Sequence, residues 1–290
     1  MPNLGPEERD EDIEGLVWLF RACELGNNQV ASQVLTMKPS IRQASYRGLT
    51  PLLGALAYYK EGCPEDLFRQ LIQAPTDLNA QQTQGWGAIH FLARQNRADL
   101  LAIFLKQRGV NIDLLTEKGE SALMLAAWYG HVDIVKMLIA HGADCTLANE
   151  SGQLPIHKAC IEAHDTCVMQ LLIKSPTTKM VRDTEGRTPA HYLAQTKSTN
   201  QVAIAKITTL FSSAELAQEC HDGVTPLEMA RYFNSQAAEQ IAPKQLLSLF
   251  QLCQNALCRS LDKATFTEVL PILPEHLQDT LAKKRARITQ

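Results

Sequence analysis

Seven glycines, at positions 15, 48, 85, 119, 152, 186 and 223, recur at intervals of 33, 37, 34, 33, 34 and 37 residues, each opening a similar block. This period constrains the chain more than its composition does. A unit so short cannot bury an apolar face alone, so successive units must stack, and the chain is read as a repeat array whose length counts units.

Several blocks spell out the start of a helix. Thr50-Pro51, Thr188-Pro189 and Thr225-Pro226 place a hydroxyl where it accepts from a free backbone N–H, then a proline whose fixed φ suits the first helical position. Ser121-Ala122 and Gly87-Ala88 are weaker versions and Leu154-Pro155 lacks the capping oxygen, so those units are expected to be individually less stable. In the fourth block Leu123, Ala126 and Ala127 stand at i, i+3 and i+4, and Ile134, Val135, Leu138 and Ile139 repeat the pattern. This predicts two short antiparallel helices. Gly142 then supplies the left-handed turn that ends the second helix and begins an extended finger.

The run from Gly119 to Ala127, followed by Gly130-His131, Asp133-Ile134-Val135, Met137-Leu138-Ile139 and Gly142-Ala143-Asp144, resembles the ankyrin repeat. The resemblance implies an all-α solenoid of about seven helix-pair repeats over residues 12–242, with one long concave face that binds protein. The first block lacks the Thr-Pro cap and follows an acidic tail at residues 1–11. It is expected to be a capping repeat with a polar outer side.

Composition excludes several classes. The 28 Lys and Arg nearly balance 31 Asp and Glu, which leaves no basic footprint for nucleic acid. Charge gathers only at the ends, acidic at the start and basic at Lys283, Lys284, Arg285 and Arg287, with a short basic tail over residues 285–290. No apolar run approaches the ~20 residues of a membrane span. The eight cysteines form no CxxC pair and no Cys/His spacing typical of zinc, and most occupy apolar repeat positions, as suits a reducing cytoplasm. No phosphate loop, HExxH or GxSxG element is present, so no catalytic residue, metal or cofactor is assigned.

His90, His157 and His191 share one repeat position and are read as backbone ties between adjacent units, with His131 and His164 doing the same at the turn between helices. If the ankyrin architecture holds, the residues just before that turn project into the groove. Reading across the blocks gives Tyr58 and Tyr59, Arg94 and Gln95, Trp128 and Tyr129, Ile161 and Glu162, then Tyr232 and Phe233. Aromatic residues and Arg are frequent interface anchors, so Trp128, Tyr129, Tyr58, Tyr59 and Arg94 are the expected target-binding residues. Trp86, beside its block glycine, is a separate candidate on the finger side.

From Pro243 a different pattern begins. Leu246, Leu249, Cys253, Leu257 and Leu261 draw an apolar stripe down one helix face, and Phe250, Leu252 and Ala256 widen it. Ser248, Leu249, Cys253 and Leu257 resemble in type and spacing the Elongin-binding start of a SOCS box. Downstream, Leu273, Pro274, Leu277, Asp279 and Leu281 resemble the element of that box that helps choose the cullin, with the earlier Pro271 displaced and Thr280 where an aromatic is common. Residues 243–284 are therefore expected to form a three-helix SOCS-box-like unit.

Together the two resemblances identify the ankyrin repeat and SOCS box family. They imply a non-catalytic substrate receptor of a cullin-RING ubiquitin ligase in the cytoplasm, holding a target protein in the groove. Elongin C and Elongin B would bind through Ser248, Leu249, Cys253 and Leu257, and a cullin would contact Leu273, Pro274 and Leu277. A pathogen effector imitating this architecture in the host cytosol carries the same signature. The alternative is an ankyrin scaffold whose last helices only cap the array.

Overall fold

The computed structural model describes residues 6–233, apart from 47, 60, 61, 74 and 75, together with 238 and 241. Its helices run in pairs: α1 (Pro6–Glu24) with α2 (Asn28–Met37), α3 (Pro51–Tyr58) with α4 (Glu65–Leu71), and α5 (Ala88–Arg94) with α6 (Ala98–Phe104). The series continues with α7 (Ala122–Tyr129) and α8 (Val132–Ala140), α9 (Pro155–Ile161) and α10 (Asp165–Lys174), and α11 (Pro189–Ala194) and α12 (Gln201–Leu210). After the short α13 (Ser213–Leu216), α14 (Pro226–Phe233) is the first helix of a seventh unit. The described residues thus hold six complete pairs and the opening of a seventh.

First helices stack on first helices, α3 on α5, α5 on α7, α7 on α9, α9 on α11 and α11 on α14, while second helices form a parallel layer behind them. One continuous apolar core threads the stack from Leu16 to Ile241. Leu123, Ala126, Ala127, Ile134, Val135 and Leu138 are all buried, as their spacing predicts. The described residues fold as the all-helical solenoid read from the period.

The block glycines sit at finger tips. Gly85, Gly119, Gly152 and Gly186 have φ between 71° and 75°, the left-handed region that side chains rarely adopt. The next finger also approaches closely: a Cβ on Gly152 would lie 2.9 Å from the amide nitrogen of Thr184. That amide donates to the carbonyl of Ser151 at 3.1 Å, and Glu117 to Gln84, Glu150 to Lys118 and His221 to Glu185 repeat the bond from unit to unit. The repeat period is therefore the period of a backbone ladder.

Gly15 is a correction to that register. It lies inside α1, packed on Ile41 and Lys38, and does not open a finger. The first unit also differs from a polar cap, since Trp18 and Met37 are 64% and 82% exposed on its two helices.

Caps vary by unit. The hydroxyls of Thr50 and Ser121 accept from the amides of Leu53 and Met124, and Thr225 and Glu228 cap each other reciprocally. At Gly87 and Leu154, which lack the capping oxygen, and at Thr188, the cap amide donates to Nδ1 of His90, His157 and His191 at 3.0, 2.9 and 3.1 Å. The Thr188 hydroxyl, which the Thr-Pro pattern predicts to cap the backbone, pairs with His191 Nδ1 and caps no amide. The third-position amides of those helices bond the carbonyls of Gly87 and Leu154, so the missing hydroxyl orphans no donor there.

Candidate functional site

The finger tips and the first helices together form one face of the array. It is hollowed at both ends: a ≈ 250 Å³ hollow lies between Phe20, Arg21, Tyr46, Leu49 and Tyr58, and one of ≈ 450 Å³ between Arg187, Gln195, Cys220, Met229 and Phe233. Between them runs a row of aromatic rings, each bearing a cation. Arg94 lies over the Trp86 ring at 5.5 Å, Lys158 Nζ over Trp128 at 4.2 Å, and Arg187 over Tyr192 at 5.0 Å.

Trp128 and Tyr129 are neighbours at the end of α7. Their rings stack at 6.0 Å between centroids, and Tyr129 stacks in turn on His131 at 5.8 Å, giving a stack of three rings across the end of α7 and the turn that follows it. Tyr129 is 44% exposed and Trp128 half-buried. Arg94 is exposed, and Tyr58 lies in the first hollow, 5.6 Å from the Phe20 ring. Trp86 packs 5.4 Å from Phe91 and joins the row. Tyr59 does not. It is buried beside the thiols of Cys23 and Cys63, because it stands one position beyond the row, where the fourth block has Gly130.

Sequence reasoning missed Glu120, Lys158, Gln153, Arg187 and Tyr192. Glu120, Gln153 and Arg187 each follow a block glycine, as Trp86 does, and that shared position was the available signal. Burial holds the Lys158 ammonium below the ordinary lysine pKa, with Glu120 opposing the shift and Lys118 adding to it. Farther along, Asp183 is buried and accepts from the Tyr192 hydroxyl at 2.6 Å and Arg187 Nε at 2.9 Å. Burial alone would raise the Asp183 carboxyl, but the bonds from Tyr192 and Arg187 outweigh it and keep the group below the usual carboxylate range.

The histidines behave as structural ties. His90, His157 and His191 donate from Nε2 to the carbonyls of Leu114, Val181 and Val224 in the following finger. His131 and His164 reach backwards, to the carbonyls of Arg94 and Trp128. Cys23, Cys63, Cys145, Cys160, Cys167 and Cys220 are free and buried, as small apolar side chains. Among the described residues, no group of three His, Cys, Asp or Glu could hold a metal, and no helix is long and apolar enough to cross a membrane. Ser248, Leu249, Cys253, Leu257, Leu273, Pro274 and Leu277 lie outside the described residues.

Comparison with known proteins agrees with the repeat reading. A family model for ankyrin repeats (3 copies) matches residues 55–149, and one for ankyrin repeats (many copies) matches residues 129–173. The chain is 26% identical over 199 residues to the SMC5-SMC6 complex localization factor protein 1 of Bos taurus, covering 68% of this chain and 18% of that protein. It is 32% identical over 101 residues to the inactive serine/threonine-protein kinase TEX14 of Mus musculus, covering 35% of this chain and 7% of that protein. It is 29% identical over 119 residues to the putative E3 ubiquitin-protein ligase XBAT31 of Arabidopsis thaliana, covering 37% of this chain and 26% of that protein. The match spans less than a third of each relative's length. The chain carries ankyrin repeats, a protein-binding architecture.

Proposed function

We propose that this ankyrin array is the target-binding arm of a substrate receptor for a cullin-RING ubiquitin ligase, and that residues 243–284 tie it to Elongin C, Elongin B and a cullin. The observation that carries the binding half is the row of half-exposed rings on one face, Trp86, Trp128, Tyr129 and Tyr58, with Arg94 and Lys158 beside them. Such residues remove much area from water at small rotameric cost, which makes them effective anchors. The ligase half is supported by the spacing of Ser248, Leu249, Cys253 and Leu257 and the downstream Leu273, Pro274 and Leu277. Plant relatives named as E3 ubiquitin ligases also carry similar sequence. The receptor does no chemistry itself; it holds the target near a ligase.

Cross-linking capture from cells, followed by comparison of wild type with Trp128→Ala/Tyr129→Ala, tests the binding half. The double variant is expected to fold normally and lose its principal captured protein, since a hot-spot residue is worth about 2 kcal/mol or more. Unchanged capture by a folded double variant contradicts the assignment.

A further inference from the structure

Two charged groups beside the Trp128 ring are incompletely matched. Lys158 Nζ sits 4.2 Å from the centroid of the Trp128 ring, and Glu120 Oε1 lies 3.9 Å from that ammonium, too far for a hydrogen bond. The two side chains are only 14% and 12% exposed, and neither charged group makes a hydrogen bond among the described residues. Neither charged tip is fully sealed from water, so each keeps hydrogen-bonding capacity for which the chain provides no partners. Farther along the same face the chain supplies them itself, where Gln153, Tyr192, Asp183 and Arg187 satisfy one another.

The guest that fits can be deduced from the pair. A carboxylate would bond to Lys158 but face Glu120 at like charge, and an ammonium would meet the reverse conflict. A group with an acceptor and a donor on one edge satisfies both and adds no net charge. An amide edge has this character. A residue in an extended chain turns its N–H and C=O to the same side, as the hydrogen-bonded pairs of antiparallel strands do, and an Asn or Gln carboxamide presents both on one edge.

We infer that Lys158 and Glu120 form an amide clamp over Trp128, which receives one uncharged amide edge of a bound polypeptide, its oxygen on Lys158 and its N–H on Glu120. The inference rests on the groove being the target-binding face, as proposed above, and adds what kind of group it reads.

The probe is a displayed library of random peptides about twelve residues long, selected on the full chain. Selected peptides are then measured against wild type, Trp128→Ala/Tyr129→Ala, Lys158→Met and Glu120→Met. The clamp predicts a loss of about tenfold or more on each methionine variant. It also predicts a similar loss on wild-type protein from one change in the peptide. N-methylation of a single residue marks a main-chain guest, and replacement of a single Asn or Gln by Ala marks a side-chain guest. Because those peptide changes use wild-type protein, they decide the matter even if a variant fails to fold. Peptides that need Trp128 and Tyr129 but ignore both methionine variants and both peptide changes overturn the clamp and leave the groove standing. Peptides that depend on Asp or Glu and bind Glu120→Met more tightly overturn it too, by making a carboxylate the guest. If no selected peptide needs Trp128 and Tyr129, the groove assignment itself fails, and the clamp with it.

Discussion

The Nε2–H of His157 donates to the carbonyl of Val181 at 3.2 Å, tying the start of α9 to the finger of the following unit. Its Nδ1 accepts from the Leu154 amide, so the bonding fixes one neutral tautomer. His90 and His191 occupy the same position with the same pair of bonds. Burial pushes His90 and His157 down to about 4 and His191 below its ordinary value, their backbone bonds opposing only part of the effect.

Acid should therefore loosen the array before its carboxylates titrate. A folded-state pKa below the unfolded value of about 6.5 means that the unfolded chain binds protons first, so stability is lost as pH falls from about 6.5 towards 4. Each such histidine contributes a slope of at most about 1.4 kcal/mol per pH unit. Urea melts at pH 7.5, 6.0 and 5.0 should show a falling midpoint, and His157→Gln should flatten the dependence. Stability that holds or rises between pH 6.5 and 5 would exclude these ties.

Finger glycines should differ from other left-handed glycines. Gly152→Ala suffers both the positive φ and the contact with Thr184, whereas Gly142→Ala suffers only the φ, having no neighbour within 4 Å of its added Cβ. The backbone strain alone is about 1–2 kcal/mol. Thermal unfolding should place Gly152→Ala below Gly142→Ala. Equal losses would mean that the finger ladder adds nothing.

Leu138 is fully buried in α8, between the second helices of neighbouring units. Leu138→Ala should cost roughly 2–5 kcal/mol through the cavity it leaves. A chemical melt that does not move would show the packing register to be wrong.

Asp183→Ala should cost about 3 kcal/mol or more, because it strips the Tyr192 hydroxyl and the Arg187 side chain of a shared buried acceptor. The measurement is again the unfolding midpoint, with Glu185→Ala as an exposed control.

What the sequence disclosed depended on where each constraint acts. The finger glycines were legible because backbone geometry demands them once per unit, but a helix-interior residue, Gly15, happened to fall near the same interval. Trp128 and Tyr129 stand out when the blocks are read across at the position before the inter-helix turn, but the stacking of their rings does not follow from that position. Tyr59 falls outside the row because position counts from the cap: Thr50 puts Tyr58 opposite Tyr129 and Tyr59 opposite Gly130. The pairing of Lys158 with Glu120 is not legible in the sequence, because the two belong to different units and meet only when the array stacks.

The ligase assignment is tested most directly by co-expressing the chain with Elongin B and Elongin C and running a sizing column. The account predicts a stable ternary complex for wild type and for Trp128→Ala/Tyr129→Ala, and none for Leu249→Ala or Cys253→Phe in chains whose repeats melt normally. Failure of wild type to form that complex would contradict the account and leave an ankyrin scaffold without a ligase connection.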